Sequence, residues 1–431
     1  MPGNALKHAL PFDPADARTA LAQLPHADAV FALYGADAHA EPYIGRTPNL
    51  RARLERLLQP SPKHPRRLQL AGRVRRIEYR LTGSDFESLL LQFQLLEEVY
   101  GPKALERMHL GAPAFIRYLG SNAYPRITVT NRPSQREADW AYGPFPSRAA
   151  AERFADEALK LFLLRRCTDD LDPNPSHPGC VYSEMKMCLA PCYKGCTDER
   201  YAEEAAAVRD FLATRGESKL VTLRTQREQA SADLEFESAA ALHAQVQKVE
   251  GVQALAPELV QPLSKLRATI LQASANPDEV TVFLFENGRL RGPGAFSTLG
   301  MRIQNERSGS SSLFAQPMAI EPIPEQPPLG DLASQPGAGA TLIETPAKAP
   351  RSVLEARLDG VLTALSVPAE PPSSTVRQGH LALLKRWYYR PEVRRVGEIC
   401  FPDADGHWPL KSMLRSVGRV AAKSLTPANP E

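Results

Sequence analysis

The chain has 431 residues, of which 43% are hydrophobic and 23% charged, and its formal net charge is +3. These values are ordinary for a soluble globular protein, so they exclude wholesale disorder and a histone-like polycation. The length gives room for roughly two to four domains. No apolar run reaches the about 18 residues of a membrane span, and the first residues lack the basic-then-apolar order of a secretion signal. We therefore expect a cytoplasmic protein without a membrane partner.

Short strands and two helices are predicted in the first domain, residues 27–108, which follows an N-terminal extension at 1–26. In chain order they are a strand at 29–34, a strand at 42–45, a helix capped by Asn49, a strand at 74–79 and a helix opened by Ser84. The apolar residues of the second helix recur at helical spacing and predict one buried stripe. The pattern is typical of a small α+β domain.

The rest of the chain is divided by changes in composition and periodicity. We predict linker strands and a cysteine-cluster domain at 109–200, a helical region at 201–260, a β-hairpin region at 261–305 turning at Asn287-Gly288, a proline-rich linker at 306–352 and a basic, aromatic C-terminal region at 353–431. Eight prolines between residues 314 and 350 favour disorder in that linker. The fold class expected for the whole chain is α+β.

Several motifs follow one another in an order that is informative as a set. They are Tyr43-Ile-Gly45-Arg-Thr-Pro-Asn-Leu-Arg-Ala-Arg53, Leu81-Thr-Gly-Ser-Asp-Phe-Glu-Ser-Leu-Leu-Leu91, Tyr142-Gly-Pro-Phe-Pro-Ser147, a cysteine cluster and Leu234-Glu-Phe-Glu-Ser-Ala-Ala240. This order resembles the UvrC family of excinucleases, which begins with a GIY-YIG nuclease domain. The resemblance covers residues 27–300. Since no DGG-type acidic strand follows residue 300, it implies a short form without the RNase H-like endonuclease half.

The resemblance implies a magnesium-dependent endonuclease site built from strand tyrosines, cations and a metal-binding glutamate. Tyr43 matches the second-strand tyrosine, Arg53 the helix arginine, and Arg46 a position where the family usually has lysine. Two positions depart from the pattern: Phe31 lacks the hydroxyl of the first-strand tyrosine, and Gln92 replaces the glutamate that holds Mg²⁺. Loss of one such electrostatic group typically costs about 10²–10³ in rate. We therefore expect a domain that binds DNA and cleaves it slowly or not at all.

A basic block coincides with this motif. Residues 44–80 contain eleven Lys or Arg and two Glu, which gives this segment a net charge of +9. Such a block attracts nucleic acid through the release of counterions, although a solvated basic loop would have the same composition. The candidate nucleic-acid contacts are Arg46, Arg51, Arg53, Lys63, Arg66 and Arg67.

Four cysteines form a candidate metal centre. Cys167, Cys180, Cys188 and Cys192 are separated by 12, 7 and 3 residues. Four thiolates can bind zinc or an iron–sulfur cluster, and the spacing does not separate the two. The UvrC resemblance implies a [4Fe-4S] cluster, with zinc as the alternative. Cys196 is then a spare thiol or an alternative ligand.

Residues 217–252 resemble the UVR motif, the antiparallel helix pair through which UvrB and UvrC interact. Leu234, Phe236 and Leu242 are candidate partner contacts on its apolar face. Residues 198–260 carry 12 acids and 7 bases, which suits a protein partner better than DNA. The same apolar face would also serve a hairpin that packs on its own chain.

In residues 380–390, aromatic residues lie among Lys and Arg. This pattern suits stacking on unpaired nucleotides or a helix with a buried Trp. The resemblance as a whole implies a DNA-binding protein of nucleotide excision repair whose endonuclease activity is impaired. A non-catalytic adaptor that binds DNA and a UvrB-like helicase is one alternative. A structured-RNA binder is another.

Overall fold

A computed structural model describes residues 5–37, 39–59, 70, 72–132, 141–169, 171–301, 349–367 and 370–424. The chain divides into two compact units, each described by itself below. The first comprises Met1–Ala268, Leu284–Arg291 and Pro368–Val396, and the second Thr269–Phe283, Gly292–Val367 and Gly397–Glu431. The predicted C-terminal region at 353–431 is thus shared between both units. Of the predicted proline-rich linker, only residues 349–352 lie in the described ranges.

Twelve strands and twelve α-helices are present in the described residues, in mixed order, so the predicted α+β class is confirmed. In chain order they are β1 His8–Pro11, α1 Ala17–Ala22, β2 Ala29–Gly35, β3 Tyr43–Thr47, α2 Leu50–Leu58, β4 Val74–Leu81, α3 Asp85–Tyr100, α4 Ala104–Arg107, β5 Ala114–Tyr118, β6 Ile127–Thr130, β7 Ala141–Phe145, α5 Arg148–Leu159, α6 Val181–Glu184, α7 Asp198–Ala213, α8 Glu217–Ala232, α9 Phe236–Gln253, β8 Gln261–Pro262, β9 Ala268–Ala273, β10 Glu279–Glu286, β11 Arg289–Ser297, α10 Arg351–Leu365, α11 Ser374–Tyr388, β12 Glu398–Cys400 and α12 Leu410–Ser424. Among these helices, none is long and apolar enough to span a membrane.

The first sheet is antiparallel with strand order β1-β4-β2-β3. β1 pairs with β4, with His8 opposite Tyr79. Leu21 and Leu24 are buried in the cluster that also contains residues of β2 and α2. The boundary predicted at residue 26 therefore falls inside this domain, and its N-terminal segment contributes a strand and part of the core.

Side-chain caps fix the starts of α2 and α3, the two helices that the sequence predicts here. Asn49 Oδ1 accepts from the backbone N–H of Ala52 at 3.0 Å, and Ser84 Oγ accepts from that of Glu87 at 3.1 Å. Each cap supplies a partner to a backbone donor that the first helical turn leaves free. α2 and α3 begin at the positions that these local signals indicate.

α3 is buried on two sides, where the sequence predicted one apolar stripe. Leu91 and Leu95 pack against residues of β2. Phe86 and Phe93 face α11, where Phe86 meets Trp387 with ring centroids 5.6 Å apart. The helix is therefore apolar around most of its circumference because it lies between the sheet and a second helix.

The middle part of the first unit is a second antiparallel sheet of order β6-β5-β7-β8 with helices packed on it. Ser147, after the Tyr-Gly-Pro-Phe-Pro stretch, caps α5 by accepting from Ala150 N–H at 3.1 Å. One hydrophobic cluster joins this sheet to α5, α7 and the inner parts of α8 and α9. The predicted helical hairpin is therefore anchored on its own chain at its base.

The third sheet has the order β11-β10-β9-β12, and most of its strand residues belong to the second unit. The predicted turn is present between β10 and β11, with positive φ at Asn287 (52°) and Gly288 (75°). Two consecutive left-handed residues fit a tight hairpin turn. α10 and α12 cover this sheet through a core that includes Leu358, Met413 and Val417.

Candidate functional site

Phe31 and Tyr43 occupy neighbouring strands of the first sheet on the face that α2 covers. Phe31 lies opposite Gly45 in the β2–β3 register, and its ring centroid is 6.2 Å from that of Tyr43. Phe31 is fully buried. A Cβ added at Gly45 would lie 2.7 Å from Phe31 Cζ, so the ring occupies the space above the glycine. Phe31 is thus a core residue of the motif and supplies no hydroxyl.

Tyr34 does not replace the missing hydroxyl of Phe31, because successive strand residues alternate between faces and Tyr34 packs in the cluster on the α3 side. The Arg76 guanidinium lies 4.4 Å from its ring centroid. Burial, followed by the neighbouring Glu78 carboxylate, raises the pKa of Tyr34 to about 12. Its phenol is therefore protonated at neutral pH and held on the far side of the sheet.

Arg46, the cation of the motif on β3, is bound to a carboxylate of α3. Its Nη1 donates to Asp85 Oδ1, and Asp85 Oδ2 accepts from Arg390 Nη2 at 2.6 Å. Burial acts to raise the pKa of Asp85, but the hydrogen bonds and charges of Arg390 and Arg46 outweigh it, and the pKa is lowered below its usual range. The carboxylate thus stays ionised between two guanidinium groups.

Gln92 lies half-buried on α3, two turns after Asp85. A separation of seven residues places the two side chains on about the same side of a helix and about 10 Å apart along its axis. The nearest acid along that side is therefore already bound by arginines. Within the described ranges, no three metal-ligating side chains converge at Gln92.

The arginines of α2 differ in their contacts. Arg51 Nη2 donates to the Ala22 carbonyl at 2.5 Å and its Nη1 lies 3.2 Å from His26 Nε2, so it fastens α2 to the end of α1 and the loop that follows it. Arg53 is half-buried, and among the described residues its side chain has no ion pair. Arg53 is therefore the cation of the motif that is available to a phosphate.

The predicted basic block is partly neutralised by acids beyond it. Arg80 Nη2 lies 3.6 Å from Glu87 Oε1, in addition to the pairing of Arg46 with Asp85. The remaining predicted contacts, Lys63, Arg66 and Arg67, lie outside the described residues. The local excess of positive charge is smaller than the sequence count alone indicates.

The four predicted cysteine ligands come from one segment between α5 and α7, and their thiols influence one another. Burial raises the pKa of Cys188 to about 11, and the charges of Cys167, Cys180 and Cys192 act in the same direction. Cys196 is not among the groups that act on it. The four predicted thiols therefore form one electrostatically coupled group, with Cys196 outside it.

Arg165 fastens this segment to the sheet. Its buried guanidinium donates from Nε to the Tyr124 carbonyl at 2.9 Å and from Nη1 to the Asp169 carbonyl at 2.7 Å, and Nη1 lies 3.6 Å from Cys167 Sγ. Because Arg165 is only 2% exposed, it is not a surface contact for DNA. Its guanidinium instead lies beside the first of the predicted cysteine ligands.

The neighbouring residues fit a charged sulfur-rich group. Arg166 Nε and Nη2 are buried and lack a hydrogen-bond partner among the described residues, and its guanidinium lies 5.8 Å from the Tyr182 ring centroid. Buried donors of this kind suit sulfur acceptors. A zinc ion bound at about 2.3 Å would draw four sulfurs to about 3.8 Å from one another. In the described part of the chain no three cysteine sulfurs lie within 4.8 Å of one another.

The tip of the helical hairpin exposes two of the three predicted partner contacts. Leu234 and Phe236 are 70% and 67% exposed, whereas Leu242 is half-buried against the core of the first unit. Leu234 has φ +62°, in the left-handed region that a leucine rarely occupies. Glu235 N–H donates to the Ala230 carbonyl at 2.8 Å and closes the turn. The base of the hairpin is therefore core, and its tip presents an apolar pair.

Asp85 and Arg390 were missed as site residues by the sequence interpretation. Asp85 is the first residue after the Ser84 cap, where an acid reads as a favourable charge at a helix N-terminus. Nothing local indicates that Arg390, 305 positions later, meets it. The available signal is the motif resemblance, which marks Arg46 as a site cation that an acidic side chain could bind.

Fold and site together define an α+β protein with a basic first domain, a four-cysteine middle domain and an apolar-tipped helical hairpin. Residues 115–211 match the family described as "UvrC/Cho excinuclease, middle domain", and residues 217–252 match the "UvrB/uvrC motif". These segments run from β5 to α7 and from α8 to α9. These two segments are therefore similar to the middle domain and the helical motif of UvrC proteins, as the sequence predicted.

Curated relatives named UvrABC system protein C match part of the chain. That of Alcanivorax borkumensis is 33% identical over 211 residues, covering 49% of this chain and 34% of the relative. That of Aliivibrio fischeri is 29% identical over 241 residues, covering 55% and 39%. The match thus spans little more than a third of the length of these relatives. No solved structure matches the chain significantly.

Proposed function

We propose that this protein binds DNA as a UvrC-like component of nucleotide excision repair, through a GIY-YIG-type domain whose metal-dependent cleavage is impaired. One observation carries the proposal: the motif keeps Tyr43 and Arg53, which has no ion pair among the described residues, while Phe31 and Gln92 occupy the positions of a reactive hydroxyl and a metal carboxylate. The names of the relatives and of the matched families support the repair context.

The chemistry of the site favours binding over cleavage. A guanidinium can pair with phosphate oxygens whether or not a metal is present. Hydrolysis also needs Mg²⁺, which proteins hold with one or two carboxylates, and Gln92 offers a neutral carbonyl. The nearest carboxylate along α3, Asp85, is bound by Arg46 and Arg390. Tyr43 and Arg53 can therefore position a phosphodiester without activating it.

A binding measurement tests this proposal. We expect the full chain to bind duplex and bubble DNA with an affinity that falls as salt is raised, because the contacts are to phosphates. Arg53→Ala should weaken binding and lower the salt slope, whereas Arg148→Ala, on the exposed part of α5, should change neither. A preference for structured RNA over DNA in the same assay, or no effect of Arg53→Ala, would contradict the proposal.

The exposed apolar tip favours a second candidate function, an adaptor that docks a UvrB-like helicase. Leu234 and Phe236 are exposed in a hairpin whose base is buried, and the surrounding helices carry an excess of acid. Phe236→Ser should abolish capture of a UvrB-like helicase. Val221→Ser, which removes another exposed apolar side chain from the same hairpin, should leave capture intact. Equal capture by both variants would contradict docking at the tip.

We further propose that Cys167, Cys180, Cys188 and Cys192 hold a [4Fe-4S] cluster. A cluster of this kind would cross-link the segment between α5 and α7, which has few strands. The cross-links would stabilise a segment that has only a small hydrophobic core. Arg165 and Arg166 would offset its negative charge. The buried donors of Arg166, which suit sulfur acceptors, support a thiolate-bound cluster at this position.

A further inference from the structure

The C-terminal helix α11 forms one wall of a cleft in the first unit. The opposite wall is the chain that follows α4, and the cleft, which is open to solvent, has a volume of about 370 Å³. Its lining residues are Leu110, Gly111, Ala382, Lys385, Arg386 and Tyr389. The volume lies at the lower end of the range of about 300–1,000 Å³ found for small-molecule sites.

The wall formed by α11 is held firmly in place. Trp387 is buried, and its Nε1 donates to the Val396 carbonyl at 3.0 Å. Tyr389 donates from its hydroxyl to the Pro144 carbonyl at 2.8 Å. Trp387 is therefore a packing residue, so the nucleotide-stacking interpretation of this segment does not apply to it. Tyr389, by contrast, is positioned by its hydroxyl with the ring at the cleft.

Two cations of the cleft have no acidic partner among the described residues. Lys385 is half-buried and Arg386 exposed, and neither takes part in an ion pair there, whereas Arg390 one turn later is bound to Asp85. Burial lowers the pKa of Lys385. An ammonium group that is partly withdrawn from water gains from an anion beside it. Gly111 leaves room for one, since a Cβ there would find Lys385 Nζ as its nearest neighbour, at 3.9 Å.

The lining of the cleft identifies the class of ligand. Two cations facing one space suit a phosphate. The volume exceeds that of a lone phosphate, and the apolar side chains of Leu110 and Ala382 with the Tyr389 ring offer a surface for a flat heterocycle. We propose that this cleft binds one nucleotide unit, with its phosphate between Lys385 and Arg386 and its base against Leu110 and Tyr389. The nucleotide comes from an unpaired strand or is free in solution.

This site goes beyond the proposed function, because α11 lies outside the GIY-YIG-like motif, the cysteine cluster and the helical hairpin. Titration calorimetry of the full-length protein with deoxyadenosine monophosphate, with inorganic phosphate and with a short single-stranded oligonucleotide tests it. We expect saturable binding of the nucleotide that Lys385→Gln and Arg386→Gln each weaken about tenfold or more. Gly111→Leu, which fills the cleft without changing charge, should do the same. Arg394→Gln, an exposed arginine outside the lining, should leave binding unchanged.

The outcomes separate this site from the DNA-binding proposal. Nucleotide binding that Lys385→Gln and Gly111→Leu leave unchanged, or no nucleotide binding at all, overturns the cleft proposal. DNA binding that depends on Arg53 would stand in that case. If the nucleotide binds as expected while duplex DNA does not, the cleft is confirmed and the DNA proposal fails. An oligonucleotide that binds more tightly than the monophosphate, with the same dependence on Arg386, would identify an unpaired strand as the source.

Discussion

Arg390, immediately beyond α11, donates to the same Asp85 carboxylate that accepts from Arg46 of the GIY-YIG-like motif. The carboxylate therefore joins the first domain to a segment 305 positions later in the chain. The same carboxylate binds the guanidinium of Arg46, which would otherwise be free to bind a phosphate. In the proposed function, Asp85 thus competes with DNA for Arg46.

Asp85→Asn should strengthen DNA binding and weaken the fold. The change frees Arg46 and Arg390 and removes one negative charge, so we expect higher DNA affinity and a steeper dependence on salt. The free energy of unfolding should fall by about 1 kcal/mol, since the ion pairs are partly exposed. Fluorescence anisotropy and urea unfolding measure the two effects. Asp156→Asn, on the exposed side of α5, removes the same charge and should change neither; equal DNA affinities of the two variants would contradict the competition.

His380 should make the protein sensitive to mild acid. It is buried, its Nδ1 accepts from the Leu290 N–H at 3.0 Å, and burial together with the charge of Arg289 lowers its pKa to about 3. An unfolded histidine has a pKa of about 6.5, so between pH 6.5 and 3 the unfolded state binds the additional proton. The neutral ring therefore makes its full contribution to the free energy of unfolding above pH 6.5. That contribution is lost as the pH falls, by about 2 kcal/mol at pH 5.

The matched variant for this pH effect is His380→Asn, whose side-chain oxygen can accept from Leu290 but does not titrate. Urea unfolding at pH 7.5 and pH 5 should show a smaller loss of stability for the variant than for the wild type. An equal loss in both proteins would mean that His380 is not the group responsible.

Leu234→Gly should act on stability and on partner binding in opposite directions. A leucine at φ +62° is strained by about 1 kcal/mol, and its side chain is mostly exposed, so glycine relieves strain and forfeits little burial. We expect unchanged or slightly raised thermal stability, together with weaker capture of a UvrB-like helicase. Leu242→Gly removes a half-buried side chain and should lower stability. Capture that survives Leu234→Gly would contradict a role for this residue at the interface.

The cysteine site should give a coloured protein. Anaerobic purification is expected to yield brown protein with iron and sulfide in equal amounts, and Cys180→Ser should lose both. Cys196→Ser should retain them, because Cys196 lies outside the coupled group of thiols. Removing the iron with a chelator should destabilise the middle domain. Colourless protein containing one zinc ion would contradict the assignment.

Local signals in the sequence identified the features that depend on a few neighbouring residues. The caps Asn49 and Ser84 and the turn Asn287-Gly288 are confirmed because each acts within three residues of its own position. The fold class and the UvrC resemblance are confirmed by the elements and by the matched families.

Contacts between residues far apart in the sequence could not be predicted from these local signals. β1 is four residues long and carries no marker of its pairing with β4. The second apolar side of α3 exists because α11 covers it, and α11 follows almost 300 residues later. The same holds for Asp85, since a carboxylate at a helix start is ordinary by itself and gains its role only through Arg390. The roles of Tyr43, Arg53 and Gln92 stay predictions.

Strand cleavage by the wild type and three variants tests the central claim most directly. Bubble, nicked and lesion-bearing DNA is incubated with Mg²⁺ or Mn²⁺ and with the wild type, Gln92→Glu, Arg53→Ala or the Gln92→Glu, Arg53→Ala double variant. If the metal site is impaired, the wild type should leave DNA intact or cut it about 10²–10³ times more slowly than Gln92→Glu. The double variant should not show the faster cleavage of Gln92→Glu. Wild-type cleavage as fast as that of Gln92→Glu, and abolished by Arg53→Ala, would contradict it.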